Sequence, residues 1–504
     1  MASAQNPLVV LLAGMIALPT FAQTFENPKV AQQQAKPQRM GGGEGVPPLP
    51  LPATPLRRTE RKREPAPPAL VGKLGFSGTG FRVVDGQRVP DDAWPSTIID
   101  IRPLMGHVER SVGMKYRFVE LPADKFSFDP AELPIVYITG WTPLPEFGDA
   151  VRQKFRQYVF DGGTIFFHSQ CGRPEFNDSV RRELAAIFPD RPLTALDTDH
   201  PLFHCTNKID SMRFRRNKEP MKTIPPYLEA VHIGVRAAVI FSPIDLSTGW
   251  DVASNPIEGG VLYDMGDARR LGVNVISYCL ANTSYARTFA IEKIFHEQGE
   301  PRRDEFVLAQ VVHSADWDPT PHALPNLVRH MKEQTSIAVK FKRAPVALAD
   351  PKLAEHPVIF MTGLRDFTLT EPEVLNLRRY LENGGKLIAE SGGGWSGFDT
   401  AFRREIRRVL PETTLQPLAP DHPVYSANFD IRQVRLSDAA RAAYPNLSTP
   451  LIESITVNGQ PVVLYSPIAL SRGWEAFDDP YTRRYESQDA LRLGINLFTY
   501  TMMN

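Results

Sequence analysis

The sequence predicts an α/β protein in which one domain occurs in two diverged copies, each built on a mostly parallel sheet covered by helices on both faces. Three observations carry this prediction. The chain aligns on itself with an offset that stays between 222 and 224 residues, the mark of a tandem duplication. In each copy, apolar runs of four to six residues alternate with amphipathic stretches of helical length, the pattern of buried strands joined by crossover helices. Ahead of both copies lies a proline-rich segment with little apolar periodicity, which cannot bury enough surface to offset its ordering entropy.

Residues 1–22 read as a secretory signal. The apolar stretch Leu8–Leu18 is followed by Pro19-Thr20-Phe21-Ala22, with small residues at Thr20 and Ala22 suited to cleavage before Gln23. The segment before the apolar stretch departs from the pattern in lacking Lys and Arg. Export to the periplasm or the extracellular space is the expectation. Residues 23–72 read as an extended tether, with Gly41-Gly42-Gly43 and the run Pro47-Pro48-Leu49-Pro50-Leu51-Pro52. Inside it, Arg57, Arg58, Arg61, Lys62 and Arg63 read either as a foothold on an anionic envelope surface or as solvated charge.

The chain has 504 residues, 42% of them hydrophobic, with 57 acidic and 57 basic side chains. Bulk charge therefore predicts no nucleic-acid partner. No run reaches the roughly 18 apolar residues of a membrane span, so no transmembrane segment is expected. The three cysteines, Cys171, Cys205 and Cys279, exclude a disulfide scaffold, since an odd count leaves one thiol without a partner.

The first domain is placed at 73–290 and the second at 305–504. Trp94 pairs with Trp317, His107 with His330, Phe118 with Phe341 and Pro134 with Pro357. Val136–Gly140 matches Ile359–Gly363, and Gly162-Gly163 matches Gly384-Gly385. Arg181-Arg182-Glu183, Asp199-His200-Pro201, Ser242-Pro243-Ile244 and Gly249-Trp250 return as Arg403-Arg404-Glu405, Asp421-His422-Pro423, Ser466-Pro467-Ile468 and Gly473-Trp474. Leu271-Gly272 with Asn274 returns as Leu493-Gly494 with Asn496. Strands are expected at Ile135–Ile138, Thr164–Phe167 and Ala237–Phe241, and at Val358–Met361, Lys386–Ala389 and Val462–Tyr465. Thr370-Glu371-Pro372-Glu373 is a capping box that starts a helix, and Asn383-Gly384-Gly385 ends it. Each copy closes with a helix, about Asp267–Ala281 and Ser487–Met502.

This order of motifs, in both copies, resembles the family called domain of unknown function 4159. The resemblance covers residues about 76–290 and 305–504. It implies a branch of the class I glutamine amidotransferase-like superfamily, whose fold is a flavodoxin-like three-layer sandwich, and a bacterial envelope setting. It supplies no substrate.

Enzymes of that superfamily place a cysteine nucleophile on a turn between a strand and a helix. Thr164–Phe167 leads into His168-Ser169-Gln170-Cys171-Gly172, with a helix expected from about Asn177, so Cys171 sits near such a position. His200 would be its base, oriented by Asp199. The second copy carries Gly393 in place of Cys171, so only the first domain could work this way. Alternatively Asp-His-Pro closes a turn in both copies. His168, Cys171, His200, His204 and Cys205 also raise a zinc site, and Cys171 with Cys205 a disulfide. The glycine-rich loop Ser391–Gly397 lacks the GK[ST] of a phosphate-binding loop. Ser242 with Trp250, and Ser466 with Trp474, are expected beyond strand carboxyl ends, where parallel sheets bind ligands, or else as lids on the core.

The reading that follows is an exported, non-catalytic binding or assembly module of the cell envelope. It would hold a polar ligand or an envelope protein through Asp199, His200, Ser242 and Trp250 and through Asp421, His422, Ser466 and Trp474. The alternative is a cysteine-dependent hydrolase or amidase in the first domain. Neither reading calls for a cofactor or a metal.

Overall fold

A computed structural model describes residues 69–76, 80–85, 87–91, 100–251, 260–291, 307–340, 343–475 and 477–503. The signal-like segment, the basic run 57–63 and Trp94 lie outside the described residues. Each copy forms a seven-stranded sheet. The first runs Arg117–Pro122, Ala69–Gly75, Ile135–Gly140, Thr164–Ser169, Arg236–Ser242, Glu229–Ile233, Thr194–Ala195. The second runs Ala344–Ala347, Ala309–Val312, Val358–Gly363, Lys386–Ser391, Gln460–Ser466, Glu453–Val457, Gln416–Pro417. The spatial order is the same in both, so the repeat is one of topology as well as sequence. Its first four strands follow the 2-1-3-4 order of flavodoxin-like sheets.

The sheets are mixed. Five strands are parallel, and the last parallel strand forms a hairpin with an antiparallel neighbour. The second hairpin turns at Asn458-Gly459, both at positive φ, which favours asparagine and glycine. The last residues of the segment expected to be a tether, 69–72, are strand instead. Val71 and Gly72 pair with Ile135 and Val136, because this apolar stretch supplies the sheet's second position.

Alternation along the strands explains the two covered faces. Ile135 and Tyr137 join one core while Val136 and Ile138 join another. Val358 and Phe360 divide from Ile359 and Met361 in the same way. The capping box at Thr370 and Glu373 is present, and the closing helices span Met265–Ala281 and Ser487–Met503. The first copy adds a two-stranded ribbon, Gly80–Val84 with Gln87–Asp91, and a small sheet of Met212–Arg216, Lys222–Ile224 and Val261–Tyr263.

The motif shared as Gly-Trp and Leu-Gly-x-Asn is folding machinery. Trp250 and Trp474 are buried, and their indole N–H groups donate to the Ala268 and Ala490 carbonyls. Each indole lies on a helical glycine. A Cβ at Gly272 would come within 2.6 Å of Trp250, and one at Gly494 within 2.7 Å of Trp474. Asn274 and Asn496 accept backbone N–H groups of Asn207 and of Asn428 and Phe429.

The domains stack head to tail. The turn around Val235, at the amino-terminal edge of the first parallel sheet, packs with Leu364, Trp395 and Phe477 from the carboxyl edge of the second. Tyr285 joins this cluster, and its ring lies 4.4 Å from the buried Arg472 guanidinium.

A test follows from the indole packing. In an exposed helix Gly→Ala gains about 1 kcal/mol from propensity. At Gly272 and Gly494 the steric conflict wins, and each substitution should destabilise by about 1–3 kcal/mol in urea unfolding. A gain in stability would show that the glycines are not packing positions.

Candidate functional site

The carboxyl edge of each sheet carries a buried polar side chain where the strand pattern calls for an apolar one. In the first domain it is His168, in the second Glu390, and the two occupy equivalent positions beside Thr139 and Thr362. Leu246 and Ser247 donate their amides to His168 Nε2 at 2.9 and 3.3 Å. Leu470 and Ser471 donate theirs to Glu390 Oε2, the latter at 2.9 Å. Each residue therefore caps the short helix that holds the buried tryptophan. As an acceptor of two amides, His168 carries its proton on Nδ1, facing Thr139 Oγ1 at 3.0 Å and Tyr137 Oη at 3.2 Å.

The carboxylate at this junction has changed places between the copies. The first domain has Asp245 where the second has Ala469. Asp245 accepts from the Cys171 amide at 2.8 Å, from Ser247 Oγ and from the Thr248 amide and hydroxyl. These hydrogen bonds outweigh burial and hold its pKa down at about 2. In the second domain the carboxylate is Glu390 itself, whose pKa burial raises. Behind His168, Tyr137 donates to Asp100, which also pairs with Lys73 at 2.5 Å, both fully buried.

Cys171 does occupy a sharp turn after its strand, at φ 58, with the helix Pro174–Ile187 beyond it. Its surroundings are wrong for a nucleophile. The side chain is buried, and its amide rests on an ionised carboxylate where a thiolate would need positive charge. His168 is committed to amides, and His200 lies at the other end of the sheet. His200 packs 5.8 Å from His232, which pairs with Ala237 at the start of the strand whose far end, Ser242, pairs with His168. Five residues at about 3.3 Å each separate the two levels. The expected Cys171–His200–Asp199 constellation is therefore not assembled. All three cysteines are free thiols, so the Cys171–Cys205 disulfide is absent. Among the described residues, no group of three or more His, Cys, Asp or Glu is arranged to hold a metal ion.

The Asp-His-Pro segment closes a turn in both copies. His200 Nδ1 accepts the Leu202 amide and His422 Nδ1 the Val424 amide, each at 3.2 Å, capping a 3-10 turn. What differs is the use of the aspartate. Asp199 Oδ2 accepts the Ser396 amide at 2.8 Å, capping in trans the helix Ser396–Val409, whose own N-cap, Trp395, offers no side-chain bond. His200 stacks edge-on against Trp395 at 5.1 Å, and Arg483 reaches Asp199 at 3.4 Å. In the second copy Asp421 is exposed and His422 half-buried, the latter against Tyr500. Ser242 and Ser466 spend their hydroxyls on the Ile244 and Ile468 carbonyls. With Trp250 and Trp474 in the core, these four of the eight residues expected to face a ligand hold the fold instead.

The cleft that remains at the carboxyl edge of the second sheet lies between the domains. It has a volume of about 450 Å³ and is lined by Asp190, Arg191 and His232 from the first domain and by Asp316, Trp317 and Arg365, among others, from the second. Asp316 has φ 55 and is clasped by Arg365. Burial lowers the His232 and His313 pKa values to about 4, leaving both neutral near pH 7. A larger cavity, about 590 Å³, lies at the amino-terminal edge of the second domain around Tyr380 and Gly384. The helix Thr283–Ala290 crosses the matching place in the first domain, where Ala286 abuts Gly162. Parallel sheets bind ligands at the other edge.

Sequence reasoning missed the cleft residues, which are scattered along the chain and meet only when the domains stack. The signal for His168 and Glu390 was present, as a polar residue ending an apolar strand.

Two outcomes test the seam. Asp199→Ala removes a helix cap and should cost about 1 kcal/mol, whereas Asp421→Ala should stay within about 0.5 kcal/mol. Equal effects in chemical unfolding would contradict the capping in trans. Burial, then the Asp199 and Asp366 charges, raise the Asp197 pKa to about 6. The folded-state pKa is above the unfolded one, so this group's contribution is fully present below the unfolded value and is lost as pH rises through about 6. Asp197→Asn should therefore show its largest melting-temperature advantage over the parent at pH 7, shrinking toward pH 5. A difference independent of pH would contradict the burial of this carboxylate.

No curated protein matches the chain. The family described as domain of unknown function (DUF4159) matches residues 101–280 and again 307–502. Those two regions hold the second sheet and all of the first except its strand Ala69–Gly75, and they make up most of the chain: it belongs to the DUF4159 family, which it carries twice.

Proposed function

We propose that the chain is a non-catalytic binding or assembly module of the bacterial cell envelope, exported and held by its amino-terminal tether. The observation that carries this reading is the separation of Cys171 from His200, one at each end of the first parallel sheet. The residues common to both copies spend their polar atoms on caps and turns, which suits a rigid scaffold. Among the described residues no helix is long and apolar enough to cross a membrane. The basic residues Arg57, Arg58, Arg61, Lys62 and Arg63 give the tether charge to meet an anionic envelope surface.

The second reading, a cysteine hydrolase or amidase in the first domain, has one observation in its favour, the left-handed backbone of Cys171 at a strand end. Thiol labelling of the folded protein near neutral pH separates the two. Cys171 should stay unmodified until the protein is unfolded, and His200→Ala should not change that. Rapid labelling of Cys171 that slows in His200→Ala would overturn the binding-module reading.

A further inference from the structure

We infer that the groove at the amino-terminal edge of the second domain is the docking site for an amphipathic helix of a partner protein. That helix turns a small residue toward Gly384 and acidic side chains toward Arg379 and Lys386. The inference rests on the binding-module reading and supplies the partner's chemistry.

The two copies finish the same surface differently. In the first, the helix Thr283–Ala290 lies across the turn that follows the helix Asp149–Phe160. A Cβ at Gly162 would come within 3.1 Å of the Ala286 backbone, and one at Gly234 within 2.3 Å of Tyr285 and 3.0 Å of Phe289. Ala286 therefore makes the close approach to the diglycine turn, while Tyr285 and Phe289 cover the neighbouring hairpin. In the second copy Gly384 and the hairpin's Gly459 have none of the described residues within 4 Å of their Cβ positions. The bare surface is a groove of about 590 Å³, with Leu353, Pro357, Tyr380 and Met502 in its wall. Leu375 and Met503 are exposed beside it, where the first copy has Gln153 and Ala281. Leu375 stands one turn before Arg379, on the same face of its helix. Apolar side chains left bare around a groove mark an interaction surface, and helix-in-groove docking is a common way to cover one.

Charge selects the occupant. At the lining positions the first copy has Lys154 and Asp161, a balanced pair, whereas the second has Arg379 and Lys386, two bases and no acid. Glu355 and Glu382, the acids next along the chain, are exposed and outside the lining. Lys386 is 6% exposed, and its Nζ donates to the Pro461 carbonyl at 3.2 Å, with no carboxylate paired to it among the described residues. A lysine this buried seldom lacks an acid partner. Nor are the two bases needed to finish the helix Glu371–Glu382. The amides of Asn383, Gly384 and Gly385 already donate to the Arg379, Leu381 and Tyr380 carbonyls. In the first copy the covering helix brings a base, since the Arg287 amide lies 3.3 Å from the Gly162 Cβ position and Asp161 is the next residue back along the chain. The second groove has the opposite charge and calls for an acid at that place.

The probes are two labelled peptides of residues 281–291, each held helical by the same staple between positions 284 and 288. One keeps Arg287 and the other carries Arg287→Glu. Fluorescence anisotropy with the full chain should show the Arg287→Glu peptide binding about tenfold more tightly, with the preference shrinking as salt is added. Arg379→Glu in the protein, at an exposed position, should reverse the preference with the melting temperature unchanged, and Leu375→Glu should weaken binding of the acidic peptide about tenfold. Four outcomes overturn the inference: neither peptide binds, both bind equally, binding is indifferent to both protein substitutions, or the chain dimerises through this face and Arg379→Glu abolishes the dimer in sedimentation. The last would leave the binding-module reading standing. A hydrolytic activity lost in Cys171→Ser would remove that reading as well.

Discussion

The short helix that follows the last parallel strand, four residues in the first domain and five in the second, starts on amides that must be met from outside it, and much of the domain depends on how they are met. Its free amides are met by a side chain from the adjacent strand, His168 in one domain and Glu390 in the other. A fixed helix start fixes the tryptophan one turn later, and the tryptophan requires glycine on the closing helix. Strand, cap, indole and glycine form one chain of dependence. A buried polar group with every amide satisfied stiffens a core, whereas a half-satisfied one weakens it. An imidazole and a carboxylate both meet this need, whereas an apolar side chain would leave the two amides unmet.

Head-to-tail stacking then decides which sheet edges remain open. The carboxyl edge of the second sheet, the usual place for a ligand in this architecture, is roofed by the amino-terminal edge of the first. Trp395 and Phe477 disappear into the seam, and Asp199 closes the start of the next helix. Arg472, fully buried among Tyr285, Phe477, Glu475 and Asp479, keeps the seam in register, since a buried charge tolerates few arrangements. What survives of the edge is the polar cleft around Asp316 and Arg365.

The fold was largely legible in the sequence. Apolar runs located the strands, the capping box located its helix, and the repeat showed that the plan occurs twice. The antiparallel hairpins were not foreseen, although Asn458-Gly459 announces one of them. The candidate site was much less legible, for a physical reason. Residues shared by two copies are those that both copies need to fold, so the motifs pointed to Trp250, Ser242 and their counterparts, which serve the core. Asp245, against Ala469, differs between the copies and so escaped notice. The cleft is assembled from Asp190 and His232 on one side and Asp316 on the other, and no local pattern encodes how two domains meet.

A contact made between unlike surfaces can be repeated indefinitely, building a fibre or a ring. Here the cap at its centre could not be reproduced on the next unit. The exposed Asp421 would need, on another molecule, the counterpart of the Ser396 amide. That counterpart is Pro174, which has no N–H to give, followed by Glu175, which repels a carboxylate. A third unit docked in the same way would therefore lack the helix cap that Asp199 gives within this chain.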